Sequence, residues 1–321
     1  GVRTARQLNN LSLYYTDYAP LLSRDATFQQ ERPIDYGAYS WAAYGRGGQA
    51  VTQQQAIGAL ESSAFTHAYD GGWNEIAAVP LTSAPDGDYA GLFGLNRGAL
   101  RNIVLTTGEK EMSVRLSGEV RMKTAYAGAL AGRNDGMIYN CAAAGYSVGS
   151  NAYQGSILYL GGLVGYNGGT IRASGVSTPS ITGSSNYARL LTGGFTGGNG
   201  GTVLQSYAMA NIEIQQIRGT GVVLAGFTAE NTGSVRNSYC ATALMSPGAD
   251  GTWGFAPATG SVTACRYLSG GTYRYMEQVH LYDYKDQSGA RAVSDEQLAS
   301  AVSGFGSATA GHTYRHPNTQ N

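Results

Sequence analysis

The chain has 321 residues, 47 of them glycine, with 42% hydrophobic and only 13% charged side chains. That is too apolar for a disordered segment, and the glycines lack the every-third-residue period of collagen. Its 21 basic and 21 acidic groups cancel. Lysine occurs only at Lys110, Lys123 and Lys285, and no run of Lys and Arg stands in the sequence to neutralise phosphates, which argues against nucleic-acid binding. No apolar run approaches the roughly 18–20 residues that cross a bilayer.

Thr4-Ala5-Arg6-Gln7 has capping-box spacing and leads into Leu8, Leu11 and Leu13, which predicts a short amphipathic helix. The abrupt start at Gly1, just before that cap, reads as a trimmed mature or cloned segment, which leaves open whether a secretion signal or anchor stood before it. Thr27 to Tyr36 and Phe65 to Ile76 read as strands, and Gln53 to Ser63 as a more helical insertion.

A phrase of small-apolar-small-x-Asn-x-Gly-x-aliphatic then recurs. It runs Gly91 to Leu100, Ala129 to Ile138, Gly162 to Ile171, Gly194 to Val203 and Gly226 to Val235. A worn sixth copy, Gly254 to Val262, has lost its Asn and one residue. The leading apolar residues are Leu92, Leu130, Leu163, Phe195, Phe227 and Phe255, at gaps of 38, 33, 32, 32 and 28 residues. Self-similarity at this period marks a stacked repeat architecture. Glycine recurs too densely for helical repeats, and blades of a propeller need longer units. A parallel β-solenoid remains.

Within a copy, Asn-x-Gly is expected to turn a sharp corner through positive φ. Alternation after it, as in Thr170-Ile171-Arg172, points the aliphatic inward and the Arg outward. With a third segment such as Ser156 to Leu160, three short strands account for about 32 residues. Cys141, Cys240 and Cys265 share one strand parity, so they face one way and read as buried small hydrophobes rather than a disulfide framework. Ser294-Asp295-Glu296-Gln297, before Leu298, predicts a second capping helix.

The fold class is therefore all-β: a right-handed parallel β-helix (β-solenoid) with short capping helices at both ends. Handedness follows the general preference for right-handed crossovers. Residues 1–88 form the cap helix and irregular opening coils, 89–268 the repeats and 269–321 the C-terminal cap and tail, in one continuous structural domain.

The phrase resembles the GLUG repeat of bacterial surface and secreted proteins, with Gly161 to Ile171 nearly a consensus copy. Val2 to Leu8 and Tyr69-Asp70-Gly71-Gly72 look like the leader of such arrays. The resemblance spans about residues 1–268 and implies an extracellular or cell-surface stalk or binding surface in an adhesin-like or pilin-like setting, or beside a peptidase domain. Asp250 to Tyr267 and the tail from Gly270 depart from it.

Chemistry is sparse. Between Asp135 and Asp250 the acids are Glu213 and Glu230 alone, too few for the clustered carboxylates of a polysaccharide-cleaving β-helix. Asp86-Gly87-Asp88 reads as a polar turn. His312 to His316 lacks a glutamate base and meets Pro317, and Gly145 to Gly149 matches a nucleophile elbow by letter only. No catalytic residue, metal or cofactor is assigned. Aromatic residues crowd the N-terminal region (Tyr14, Tyr15, Tyr18, Tyr36, Tyr39, Trp41, Tyr44) and the C-terminal region (Tyr267, Tyr273, Tyr275, Tyr282, Tyr284), mainly as cap packing. A ligand site is expected at Tyr39, Trp41 and Tyr44. The expected role is non-catalytic adhesion or display toward a host or bacterial surface glycan or protein. The alternatives are a polysaccharide lyase or glycoside hydrolase, or the structural head of a pilin-like subunit.

Overall fold

A computed structural model describes residues 1–37, 43–44, 50–51, 54–108, 110–245, 251–269, 271–275, 278–282, 288–294, 296–298 and 300. The chain is a β-solenoid of about 6 turns built from stacked parallel sheets. Each full coil visits four walls, one more than the repeat spacing suggested, and in the first two full coils the fourth-wall segment is split into two strands. In a later coil the strands are Ile157–Gly161, Val164–Asn167, Thr170–Arg172 and Gly175–Asn186. Stacked copies make four walls: a first of six strands, a second of five, a third of eight and a fourth of 13.

Register follows the repeat. In the second wall Phe93 pairs with Ala131, then Val164, Thr196 and Thr228. The leaders all lie in the core, where Phe195, Phe227 and Phe255 stack with centroids 4.6 and 4.7 Å apart. Ring pairs of this kind add about 0.5–1.5 kcal/mol each beyond their buried area.

The corner after the repeat Asn exists, but it does not arise from positive φ. Neither Asn nor Gly of the phrase has one. Instead the Asn points inward and builds a ladder. Nδ2 of Asn96, Asn134, Asn167 and Asn199 each donates to Oδ1 of the Asn one coil on, at 2.7, 2.8, 2.8 and 2.9 Å. The series ends where the sixth copy has lost its Asn, and the buried Asn231 Nδ2 meets no acceptor. The Gly of the phrase serves close stacking. A Cβ at Gly136, Gly169, Gly201 or Gly233 would overlap the carbonyl oxygen of the same Gly one coil earlier.

Positive φ falls six residues after the repeat Asn, at Asn102, Asn140, Ala173, Gln205 and Asn237. Asn102 Nδ2 donates to Asp70 Oδ1 at 3.0 Å and Asn140 Nδ2 to Asn102 Oδ1 at 2.9 Å, but Asn140 Oδ1 is buried without a partner beneath Ala173. Ala173→Asn supplies the missing donor, and Asn tolerates the left-handed region better than Ala. The expected result is about 1 kcal/mol of added stability, read as a higher urea midpoint; an unchanged or lower midpoint refutes this account of the column.

The three cysteines are buried, as their parity implied. Cys141 and Cys265 share an inward column with Ser174, Ser206 and Ser238. In it each Oγ or Sγ donates to the carbonyl two residues earlier, as Ser174 to Arg172 at 2.9 Å and Cys141 to Tyr139 at 3.3 Å. Burial pushes the Cys141 thiol up to about 12.

Among the described residues, helical segments stand at both ends. The helix Ala5–Tyr18 starts at Thr4, whose side chain accepts from Gln7 N at 3.2 Å. Gln7 reaches back one residue past the cap, to Arg3 N at 2.7 Å. Leu8, Leu11 and Tyr15 are its buried residues toward the core, while Leu13 is half-exposed. At the other end residues 296–298 and 300 are helical, and Ser294 and Gln297 exchange both bonds of the predicted capping box. The described part of the expected helical insertion Gln53 to Ser63, residues 54–63, is not a helix. Gln54–Gln55 pairs with Leu81–Thr82, Ile57 bridges Phe93, and only Glu61–Ser63 forms a 3-10 turn. The segment supplies an opening coil beneath the first full copy.

Candidate functional site

Tyr39 and Trp41 lie outside the described residues. Tyr44 belongs to a two-stranded antiparallel ribbon, Ala43–Tyr44 against Ala50–Val51, and its side chain also lies outside the description. Of their aromatic neighbours, Tyr15 and Tyr36 pack in the core at the cap, while Tyr18 is exposed. Tyr15 OH lies 2.6 Å from His67 Nδ1, and Tyr36 OH donates to Ala5 O at 3.1 Å. His280, His312 and His316 fall outside the described side chains.

The carboxylates do not gather. Among the described residues no three His, Cys, Asp or Glu side chains share a site that would hold a metal. Glu213 lies on the fourth wall and Glu230 on the second, where Glu230 takes Arg189 at 2.5 Å and the Tyr159 hydroxyl at 3.4 Å. At the Asp86–Asp88 turn the Lys123 ammonium sits on the Asp86 carbonyl at 2.9 Å and the Asp88 carboxylate at 3.0 Å. Ser147 lies within the strand Tyr146–Tyr153, not on a strand-to-helix elbow.

Where the outward faces of the first and second walls meet, Tyr89, Tyr126 and Tyr159 stack at 5.4 and 5.3 Å, with Tyr166 edge-on to Tyr159 at 5.3 Å. Arg133 lies 5.7 Å from the Tyr126 ring and 5.5 Å from the Tyr166 ring, tied to Asp135 at 2.9 Å. Burial, then the nearby Glu61 carboxylate, pushes the Tyr89 phenol up to about 12. These ring faces are occupied by one another, so the row offers edges and hydroxyls and no platform for a sugar ring. Sequence reasoning missed the row, although a Tyr stands three or four residues before the leader in the first three copies.

A groove on the outward face of the fourth wall has a different character. It encloses about 380 Å³ and is lined by Arg115, Ser117, Glu119, Asn151, Thr182 and Gln215 over a floor that includes Gly149 and Gly183. Strand register builds it. Arg115 pairs with Gly149, Gly149 with Thr182 and Thr182 with Glu213, giving a guanidinium, a recess and a hydroxyl in one row of the groove, with the Glu213 carboxylate next in line but outside the lining. A second row runs Asn151, Ser184, Gln216, with Ser184 Oγ donating to Asn151 Oδ1 at 2.9 Å. The recess is a glycine effect, since a Cβ on Gly149 would crowd the Thr182 hydroxyl. The segment that follows Arg115 forms the far rim, where Val120 bridges Ala152. A side-chain hydrogen bond with Tyr153, and then one with Arg121, hold the Glu119 carboxyl below its ordinary range. The Arg121 guanidinium lies 4.1 Å over the Tyr153 ring. The groove thus presents amides, hydroxyls and one guanidinium at strand spacing, a set suited to hydrogen-bonding a hydroxyl-rich ligand.

No family model matches the chain, and no curated protein matches it in sequence. Among solved structures, the crystal structure of a putative immunoglobulin A1 protease from Bacteroides ovatus is similar. It aligns with a TM-score of 0.59 and 14% identity over 95% of this chain and 87% of that one. At that identity the likeness is one of fold, and fold alone does not carry an activity.

Proposed function

We propose that the chain is a non-catalytic binding module of a bacterial cell-surface or secreted protein, built as a GLUG-type array, that holds a glycan in the groove of its fourth wall. The observation that carries this reading is the pair of register-aligned polar rows, Arg115–Gly149–Thr182–Glu213 and Asn151–Ser184–Gln216. Two rows two residues apart along the first strands, and three apart on the last where a bulge shifts the register, each at the roughly 4.8 Å strand spacing, offer hydrogen bonds at intervals close to those of sugar hydroxyls. Support for a non-catalytic role comes from the groove's own carboxylate. Cleaving a glycosidic bond takes a general acid whose pKa is raised toward neutrality, whereas Tyr153 and Arg121 hold Glu119 low.

A glycan-array screen of the purified chain beside Asn151→Ala/Thr182→Ala and Trp41→Ala tests it. Saturable binding lost in the groove variant and kept in Trp41→Ala is the expected result. Loss in Trp41→Ala alone moves the site to the opening coils, and no glycan binding at all leaves a protein-display or stalk role as the better description.

A further inference from the structure

The outward face of the third wall carries a second pattern, independent of the groove. Each of its eight strands has three residues with the middle one turned inward, so the wall shows two outward columns. One column is uncharged, with nothing larger than Met137: Ala99, Thr170, Thr202 and Ser234 are typical. The other reads Arg101, Tyr139, Arg172, Leu204, Arg236 on successive strands. The three guanidinium groups are exposed and recur on every second strand, hence about 9.6 Å apart. Between them stand Tyr139, 39% exposed, and Leu204.

Among the strand residues of this wall the one acid is Asp70, at the N-terminal side of the column, where it binds Arg101 at 2.9 Å. Burial alone would raise the Asp70 carboxyl, but hydrogen bonds from Asn102 and Gly72 and the Arg101 charge hold it low. Arg172 donates to Gln205 Oε1 at 3.3 Å and lies 5.9 Å from the Tyr139 ring, so its partners leave its charge uncompensated. In a chain whose charges cancel, three arginines against one carboxylate on a flat wall form a concentrated positive line.

We propose that this wall binds a linear polysaccharide with one carboxylate per disaccharide, lying along the solenoid axis. Its carboxylates meet Arg101, Arg172 and Arg236, and the intervening sugars lie over Tyr139 and Leu204. Guanidinium groups bind carboxylates bidentately. Their spacing sets the charge density of the partner, because one charge every two strands matches an alternating acidic and neutral sugar. A nucleic-acid strand carries a charge about every 3.4 Å, and a densely sulfated chain likewise offers several charges per interval.

The test is retention on immobilised unsulfated hyaluronan at several salt concentrations, with the full chain, Arg172→Gln, Arg236→Gln, the double variant and Arg101→Gln. Circular dichroism confirms that each variant keeps its fold. Binding that weakens with salt is expected. Each of Arg172→Gln and Arg236→Gln reduces it about threefold and the double variant about tenfold. Arg101→Gln costs less, since Asp70 already compensates that charge. The groove variant Asn151→Ala/Thr182→Ala keeps hyaluronan binding, so failure of the groove reading and failure of this one are separable. Binding unchanged in the double arginine variant overturns the proposal. So does equal or tighter retention of single-stranded DNA or heparin, which would show unspecific attraction to polyanions.

Discussion

Asn167→Ala lowers stability by about 3 kcal/mol, although the side chain removed is small and uncharged. Asn167 is the middle rung of a buried ladder: its Oδ1 accepts from Asn134 and its Nδ2 donates to Asn199. Truncation strips a partner from Asn134 Nδ2 and from Asn199 Oδ1 at once, in an interior that water does not reach. An orphaned buried polar group costs about 1–3 kcal/mol; Asn199 Oδ1 becomes one, while Asn134 Nδ2 loses its shorter bond and keeps only Gly136 O at 3.3 Å. Asn231→Ala is the control. Its Nδ2 has no acceptor in the wild-type chain, so the substitution breaks one bond and removes an existing orphan, for a cost of about 1 kcal/mol or less. The measurement is urea unfolding followed by circular dichroism, compared at the midpoints because long repeat arrays depart from two-state behaviour. Equal losses at the two positions would mean that these side chains contribute packing alone and that the ladder carries nothing.

The repeat made the solenoid legible, and the leaders named its core correctly from Leu92 to Phe255. The role given to the repeat Asn was wrong for an instructive reason. Asn is both a residue that accepts left-handed backbone and one whose amide can donate to its own copy in the next coil, and a single phrase cannot separate the two. Comparison among copies can. The Asn is the same in all five full copies, whereas the true positive-φ column accepts Asn, Ala and Gln. A side chain that touches its own copy must stay identical, while a backbone conformation tolerates several residue types. The cysteine column follows the same logic. Burial was readable from parity, but alternation of Cys141 and Cys265 with three serines shows that the position wants a short donor to a carbonyl two residues back.

Other features left no local mark. The fourth strand of each coil lies in stretches such as Gly175 to Asn186, where small, polar and apolar residues carry no repeated phrase. The polar groove comes from lateral register between strands more than 30 residues apart in sequence and from the side chain missing at Gly149. The arginine column, by contrast, was half visible. Alternation placed Arg172 and Arg236 outward, and only the stacking order of the strands shows that they stand in one line.

Two adjacent glycines separate stacking geometry from turn flexibility, and this gives the second large effect. Gly168 and Gly169 both sit in the corner between Val164–Asn167 and Thr170–Arg172, and neither has positive φ. Gly169→Ala places a methyl group on the backbone of the preceding coil, overlapping Gly136 O and crowding the Asp135–Gly136 peptide. Backbone on both sides is fixed by ladder bonds: Gly169 N donates to Asn134 O at 3.0 Å, and Thr170 N to Gly136 O at 2.9 Å. Relief therefore requires coils to part, and overpacking against main chain costs about 3 kcal/mol or more. At Gly168 the nearest atom to a new Cβ is Asp135 Oδ1, the end of an outward side chain that can turn aside. Gly168→Ala accordingly changes stability by about 0.5 kcal/mol or less, and Gly169→Ala unfolds at markedly lower urea. If both substitutions were equally mild, the glycine would not be setting the distance between coils. Equal severity would instead point to a corner that needs glycine for its backbone angles, which the φ values at these two positions argue against.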